Sequence, residues 1–119
     1  MIKNTSKTSE FNHFESLADK WWDPNGKFKI LHTLTPLRIS YIKKNLFDKK
    51  YSKKSLSNFN ILDLGCGGGL VCEPLARLGA NITGIDFVKH NIISAKKHAK
   101  KLNLDIKYLH QNLNNLKLK

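Results

Sequence analysis

Apolar residues recur with two different periods along this chain, and the period changes near residue 60. Before that point they return every three to four residues, from Phe11 to Trp21 and again from Leu37 to Leu46, which predicts two helices. Ser9 is placed to cap the first helix, and Thr35-Pro36 to begin the second. The turn-forming run Asp23-Pro24-Asn25-Gly26 separates them.

After residue 60 short apolar segments alternate with helical ones. Strands are predicted at 60–64, 81–85 and 106–109, with helices at 70–78 and about 88–103 between them. Gly79 is placed to end the first of these helices. This order is typical of parallel βαβ units with right-handed crossovers. We therefore predict an α/β domain over 60–119, preceded over 1–59 by a helical N-terminal leader and a lysine- and serine-rich linker.

Charge and length narrow the class of protein. The 119 residues carry a formal net charge of +12, from 19 lysines and only two arginines. Arginine binds phosphate better than lysine does, and it is nearly absent, so a solvated lysine surface explains the charge best. The alternative is a basic surface that binds nucleic acid or an anionic membrane. We expect no nucleic acid partner. No apolar run approaches the roughly 18 residues of a membrane span, and no secretory signal begins the chain, so we expect a cytoplasmic protein.

The most informative segment follows the first predicted strand and includes Asp63, Gly65 and Gly67. Glycines after a buried strand let the backbone approach a ligand closely, and the next helix directs free N–H groups at it. The dinucleotide pattern G-x-G-x-x-G fails in both registers, because Leu70 and Cys72 occupy the sixth positions. The observed form, D-x-G-x-G-x-G, resembles that of class I S-adenosylmethionine-dependent methyltransferases.

Asp86 ends the second predicted strand, 17 residues after Gly69. In a doubly wound sheet its carboxylate faces the same crevice and could accept hydrogen bonds from both ribose hydroxyls; the alternative is a cap on the following helix. Asp63 either orients the loop and the amino end of the methionine, as in the family, or only shapes the turn. Cys66 has no evident base beside it and is interpreted as a small loop residue. The histidines show no metal-ligand spacing.

The N-terminal third resembles one family more closely. Phe14–Lys29, with its tryptophan pair, and Thr35-Pro36-Leu37-Arg38 are similar to the leader of the ubiquinone-biosynthesis O-methyltransferases. Leu62–Gly69 and Gly84-Ile85-Asp86 match their cofactor loop and ribose-binding strand end. The resemblance implies an S-adenosylmethionine cofactor and methylation of a hydroxyl on a polyprenylated catechol or phenol. The implied cofactor-binding residues are Arg38, Asp63, Gly65, Gly67, Asp86 and Gln111.

Two of these residues have particular implied roles. Arg38 would pair with the methionine carboxylate, the alternative being a surface ion pair. Gln111 stands where many relatives carry an acidic residue near the adenine. The tryptophan pair is expected to pack the leader helix against the sheet, the alternative being contact with the substrate. The implied partners are a lipid-tailed quinone precursor, the membrane at its inner face, and other proteins of the ubiquinone pathway. A divalent metal is implied only for full-length relatives, with no ligands identified here.

A complete class I methyltransferase has a seven-stranded, doubly wound parallel sheet, whereas this sequence predicts three strands. We therefore expect a Rossmann-like fold truncated after the third strand, as in a fragment or a split-gene product. Catalytic residues are expected beyond residue 119. Such a chain should expose an unpaired strand edge and apolar sheet surface, and should show no turnover alone. The alternative function is a non-catalytic nucleotide-binding or interaction module that keeps the glycine loop.

Overall fold

The computed structural model of the chain describes residues 20–46 and 55–115. Its centre is a parallel sheet of three strands in the order β1-β2-β3, with bounds β1 Asn60–Leu64, β2 Asn81–Asp86 and β3 Lys107–His110. Leu64 of β1 pairs with Ile85, and Asp86 of β2 pairs with His110. The three strands therefore end at the same edge of the sheet, where the predicted loop residues lie.

Helices connect these strands as the sequence predicts. The described helices are α1 Lys29–Leu46, α2 Cys72–Arg77, α3 Lys89–Lys101 and a 3₁₀ turn at Leu113–Asn115. Helix α2 joins β1 to β2 and α3 joins β2 to β3, so the predicted alternation of strands and helices is confirmed. The C-cap of α2 is Leu78, and the predicted cap Gly79 lies one residue beyond it; with a φ of 100°, Gly79 takes the left-handed conformation that follows a helix end and donates its N–H to the carbonyl of Ala76.

Helix α1 begins at Lys29, seven residues before Pro36, the predicted first helical residue, so that prediction was wrong. Backbone hydrogen bonds from Lys29 to Gly26 and from His32 to Phe28 already form its first turn. Thr35 lies inside the helix, where its hydroxyl donates to the carbonyl of Leu31 instead of capping an N-terminus. Almost all of the predicted helix from Ser9 to Trp22 lies outside the described residues.

The hydrophobic core lies between the sheet and helices α2 and α3. Its buried members include Cys72, Leu75, Ile82, Ile92, Ala95, Ala99 and Tyr108. Leu56, from the predicted linker, is fully buried in this core, and its N–H donates to the carbonyl of Leu78 at 2.8 Å. Ile39, Ile42 and Leu46 pack α1 against the same cluster. The boundary between leader and α/β domain at residues 59 and 60 stays a prediction.

The sheet is less covered on the side of Leu62 and Leu64. These two residues alternate along β1 with Ile61 and Asp63 and are 39% and 50% exposed. Within the described residues β1 pairs only with β2, so its other edge has no neighbouring strand. The expected free strand edge and apolar sheet surface are therefore confirmed for this part of the chain. None of the described helices is long and apolar enough to span a bilayer.

Core burial predicts a large difference between two truncations in neighbouring strands. Ile82→Ala, at a residue only 1% exposed, should lower the free energy of unfolding by about 2–4 kcal/mol because it leaves a cavity. Leu64→Ala, at a half-exposed residue, should cost less than about 1 kcal/mol. Urea unfolding followed by circular dichroism measures both. Equal losses would contradict the assignment of the core to the helix-covered face.

Candidate cofactor site

The glycine loop leaves β1 and turns directly over the end of β2. The N–H groups of Gly65 and Cys66 both donate to the carbonyl of Ile85, at 2.7 and 3.0 Å. Gly69 closes the turn by donating to the carbonyl of Cys66 and has a φ of 91°, a conformation that side chains disfavour. The loop is thus held by backbone hydrogen bonds; Gly65 is exposed with open space around it, whereas Gly67, Gly68 and Gly69 are buried.

Asp86 joins this loop to the start of α3. Its side chain is 7% exposed, Oδ2 accepts a hydrogen bond from the N–H of Gly67 at 2.9 Å, and Oδ1 accepts one from the N–H of Val88 at 2.8 Å. The residue that caps α3 is Val88, with extended backbone, so Asp86 is not itself the helix cap. The Asn91 amide adds a longer bond to Oδ1, at 3.4 Å, and a carboxylate has about four lone-pair sites, so Oδ2 can still accept a hydroxyl group.

Asp63 of β1 and Arg38 of α1 both line one cleft of about 460 Å³. Its other lining residues are Leu34, Leu37, Tyr41, Ile42 and Val71. Burial raises the pKa of the Asp63 carboxyl, while the thiol of Cys72, which donates to Oδ2 at 3.3 Å, and the Arg38 charge act in the opposite direction. A cation and a carboxylate therefore lie on one cleft, as a zwitterionic ligand requires.

Gln111 follows β3 and is connected to Asp86 by a backbone hydrogen bond. Its N–H donates to the Asp86 carbonyl at 3.1 Å, and its side chain is half-buried. The structure thus brings Gly65, Gly67, Asp86 and Gln111 together at the ends of the strands and places Asp63 with Arg38 beside them. Their roles toward a cofactor stay predictions.

The tryptophan pair contacts the glycine loop itself, which the sequence did not indicate. The Trp21 ring lies so close to Gly67 that a Cβ there would sit 2.6 Å from it. Its indole N–H donates to the amide oxygen of Asn91, and the Asn91 amide lies 3.4 Å from Oδ1 of Asp86. Trp22 donates to the carbonyl of Gly68 at 3.0 Å. Packing of these rings was expected from the sequence, but their partner in the fold could not be read from it.

The two cysteines are buried, free thiols behind the loop. The neighbouring Cys66 and burial both raise the pKa of Cys72, so its thiol stays protonated and unsuited to nucleophilic attack. The interpretation of Cys66 as a small loop residue agrees with its 7% exposure. Among residues 20–46 and 55–115, no three His, Cys, Asp or Glu side chains are grouped so that they could hold a metal.

Comparison with known proteins places this arrangement in a family. Residues 61–119 match the model of a methyltransferase domain. The chain is 52% identical over 108 residues to a ubiquinone biosynthesis O-methyltransferase of Pelagibacter ubique, covering 88% of this chain and 45% of that protein. A protein of the same name from Bartonella tribocorum is 46% identical over 115 residues, covering 91% and 47%. The chain thus spans a little under half the length of the curated relatives that it matches.

Solved structures show the same fold. Magnesium protoporphyrin IX methyltransferase of Synechocystis, with bound SAH, superimposes with a TM-score of 0.67 at 18% identity, covering 89% of this chain and 49% of that one. The T. Thermophilus 16S rRNA N2 G1207 methyltransferase in complex with AdoMet and guanosine gives a TM-score of 0.56 at 26% identity, covering 66% and 20%. The described residues form part of the Rossmann-like fold of S-adenosylmethionine-dependent methyltransferases.

Two glycines of the loop should respond differently to a methyl group. Both have positive φ, so Gly65→Ala and Gly69→Ala should each cost about 1 kcal/mol of backbone strain. A Cβ at Gly65 meets no atom within 4 Å, whereas one at Gly69 overlaps the hydroxyl of Tyr108, which adds about 1–3 kcal/mol. Urea unfolding should show that the loss caused by Gly69→Ala is smaller in the Tyr108→Phe background than in the parent, whereas the loss caused by Gly65→Ala is the same in both. Equal rescue of both would contradict the close contact.

Asp63 should reduce the stability of the folded chain at neutral pH. Burial raises the pKa of Asp63 above its value in the unfolded chain, so the folded state keeps this proton at pH values where the unfolded state has lost it. The free energy of unfolding therefore falls as pH rises through the interval between the two pKa values. Asp63→Asn should therefore be more stable than the parent chain above the interval and similar to it below. Thermal melting from about pH 3 to pH 7 tests this. Asp105→Asn, at an exposed carboxyl, is the control, and an identical pH profile for both would contradict the assignment.

Proposed function

This chain belongs to the ubiquinone biosynthesis O-methyltransferase family, and from that premise we propose that it supplies the S-adenosylmethionine-binding part of such an enzyme. The reaction of the whole enzyme is methylation of a hydroxyl on a polyprenylated catechol or phenol. The observation that carries the proposal is the bond between the buried Asp86 carboxylate and the N–H of Gly67. It connects the proposed ribose acceptor to the proposed cofactor loop at the ends of β1 and β2.

Each end of the cofactor has a matching group in this part of the chain. Asp86 would accept the ribose hydroxyls with its remaining lone pairs. Arg38 would pair with the carboxylate of the methionine portion, and Asp63 with its ammonium. The ammonium would also favour the ionised form of Asp63, which burial alone disfavours. Gln111, beside the backbone of Asp86, would border the adenine.

Methyl transfer is an in-line displacement, in which the acceptor oxygen forms a bond to the methyl carbon as the bond to the sulfonium sulfur breaks. The proposed role of this chain is to hold the sulfonium in a fixed position. Positioning of the reactants supplies a large share of the rate enhancement in reactions between two molecules. Proton removal from the acceptor and closure of its pocket would fall to residues outside those described here.

We expect no methyl transfer from the isolated 119-residue chain. Contact with the membrane surface or with other proteins of the pathway stays a prediction from the family and from the basic composition. The rival function, a nucleotide-binding or interaction module without chemistry, shares the glycine loop. It differs in predicting no preference for the sulfonium cofactor and its thioether product over other adenosine ligands.

Calorimetric titration of S-adenosylmethionine and S-adenosylhomocysteine tests the proposal directly. Saturable binding of both is expected, with affinity lowered about 10- to 100-fold in Asp86→Asn because a charge-assisted acceptor is lost. Asp105→Asn removes the same charge from an exposed loop and should leave affinity unchanged. Circular dichroism confirms that each variant is folded. Equal affinity for ATP, or no binding by a folded chain, would contradict the proposal.

A further inference from the structure

One fully buried carboxylate has no part in the site described above. Glu73 lies in α2 with no exposed surface, and its Oε2 is 2.7 Å from Nδ1 of His98 in α3. Its other oxygen, Oε1, has no hydrogen-bond partner among the described residues. Burying such a group is costly, and an apolar residue of similar volume is often at least as stabilising. The position of Glu73 therefore calls for an explanation other than stability.

His98, the partner of Glu73, is connected to the glycine loop through Trp22. The imidazole of His98 stacks on the indole of Trp22, with ring centroids 3.8 Å apart and an angle of 2° between the planes. The Trp22 indole N–H then donates to the carbonyl of Gly68 at 3.0 Å. His32 packs edge-on against the same indole, and its Nε2 forms a hydrogen bond of 2.7 Å with the backbone carbonyl of Trp21. A continuous set of contacts thus runs from Glu73 to the loop.

Each of these contacts restricts the rotation of one side-chain ring. The hydrogen bond to Glu73 fixes the plane of His98, and the parallel stack fixes the plane of Trp22, so the indole N–H has one direction. Gly68 lies between Gly67, which donates to Asp86, and Gly69, whose carbonyl accepts the backbone N–H of Glu73. A shift of the Trp22 ring would therefore displace the loop at the point where it meets the ribose acceptor.

We propose that Glu73 and His98 are positioning residues for the cofactor loop, acting through the stacked ring of Trp22 and its hydrogen bond to Gly68. The proposal rests on the function proposed above, since it takes the loop as the cofactor-binding element. Neither residue touches the cofactor. Their effect is on the orientation of the loop, and a side chain with the same volume but no hydrogen bond cannot replace it.

Two substitutions at Glu73 separate positioning from packing. Glu73→Leu replaces the carboxylate with an apolar side chain of similar volume that cannot bond to His98. The thermal midpoint should stay equal or rise, while affinity for S-adenosylhomocysteine falls about tenfold. Glu73→Gln retains an oxygen that accepts from Nδ1 and should bind S-adenosylhomocysteine like the parent chain. His98→Leu should reproduce the loss seen in Glu73→Leu.

A second measurement follows the loop contact without any ligand. The chain has two tryptophans, so nitrogen-15 NMR shows two indole N–H signals, which Trp22→Phe assigns. In Glu73→Leu and His98→Leu the Trp22 signal should shift and lose protection from solvent exchange. The Trp21 signal, whose N–H is held by Asn91, should change much less and is the internal control.

The two readouts distinguish the failure of either proposal. An unchanged Trp22 signal in Glu73→Leu, or an altered signal with unchanged affinity for S-adenosylhomocysteine, would overturn the positioning role. If the folded parent chain does not bind S-adenosylhomocysteine at all, the proposed function fails. In that case the NMR comparison still decides whether Glu73 and His98 position Gly68.

Discussion

The site depends on the hydrogen bond that the carboxylate of Asp86 accepts from the N–H of Gly67. Parallel pairing of β1 and β2 brings the two strand ends together, but it does not fix the loop that leaves β1. The loop is fixed because Asp86 is buried and charged, and a buried carboxylate requires donors. Gly67 and Val88 supply them from opposite sides, so the acidic group, the loop and the start of α3 form one unit.

The sequence predicted this unit well because its signals are local. A glycine run after an apolar strand, and an aspartate at the end of the next strand, are short-range patterns with a direct structural meaning. The start of α1 was mispredicted because the threonine hydroxyl can cap a helix or bond within one, and only the tertiary fold decides between them. The contacts of Trp21 and Trp22 join residues 46 and 70 positions apart, and no local pattern encodes such a pairing.

Asp63 and Arg38 show how the leader contributes to the site as well as to the core. Helix α1 reaches the core through Ile39 and Ile42, and the same turn carries Arg38 to the cleft that holds Asp63. Among the described residues β1 has no neighbouring strand on its other edge, and its exposed Leu62 adjoins Asp63. The chain covers a little under half the length of its relatives, and the proposed cofactor surface lies within the part that it covers.

Buried polar groups in this fold divide into two kinds. Asp86 is paired by backbone donors on both oxygens, so its burial costs little. Glu73 is paired on one oxygen only, and burial raises its pKa despite the neighbouring His98. A residue in that condition opposes stability as pH rises, because the folded state retains a proton that the unfolded state has released. Its contact with His98, and through Trp22 with Gly68, offers a functional reason for keeping a carboxylate where an apolar side chain would fit.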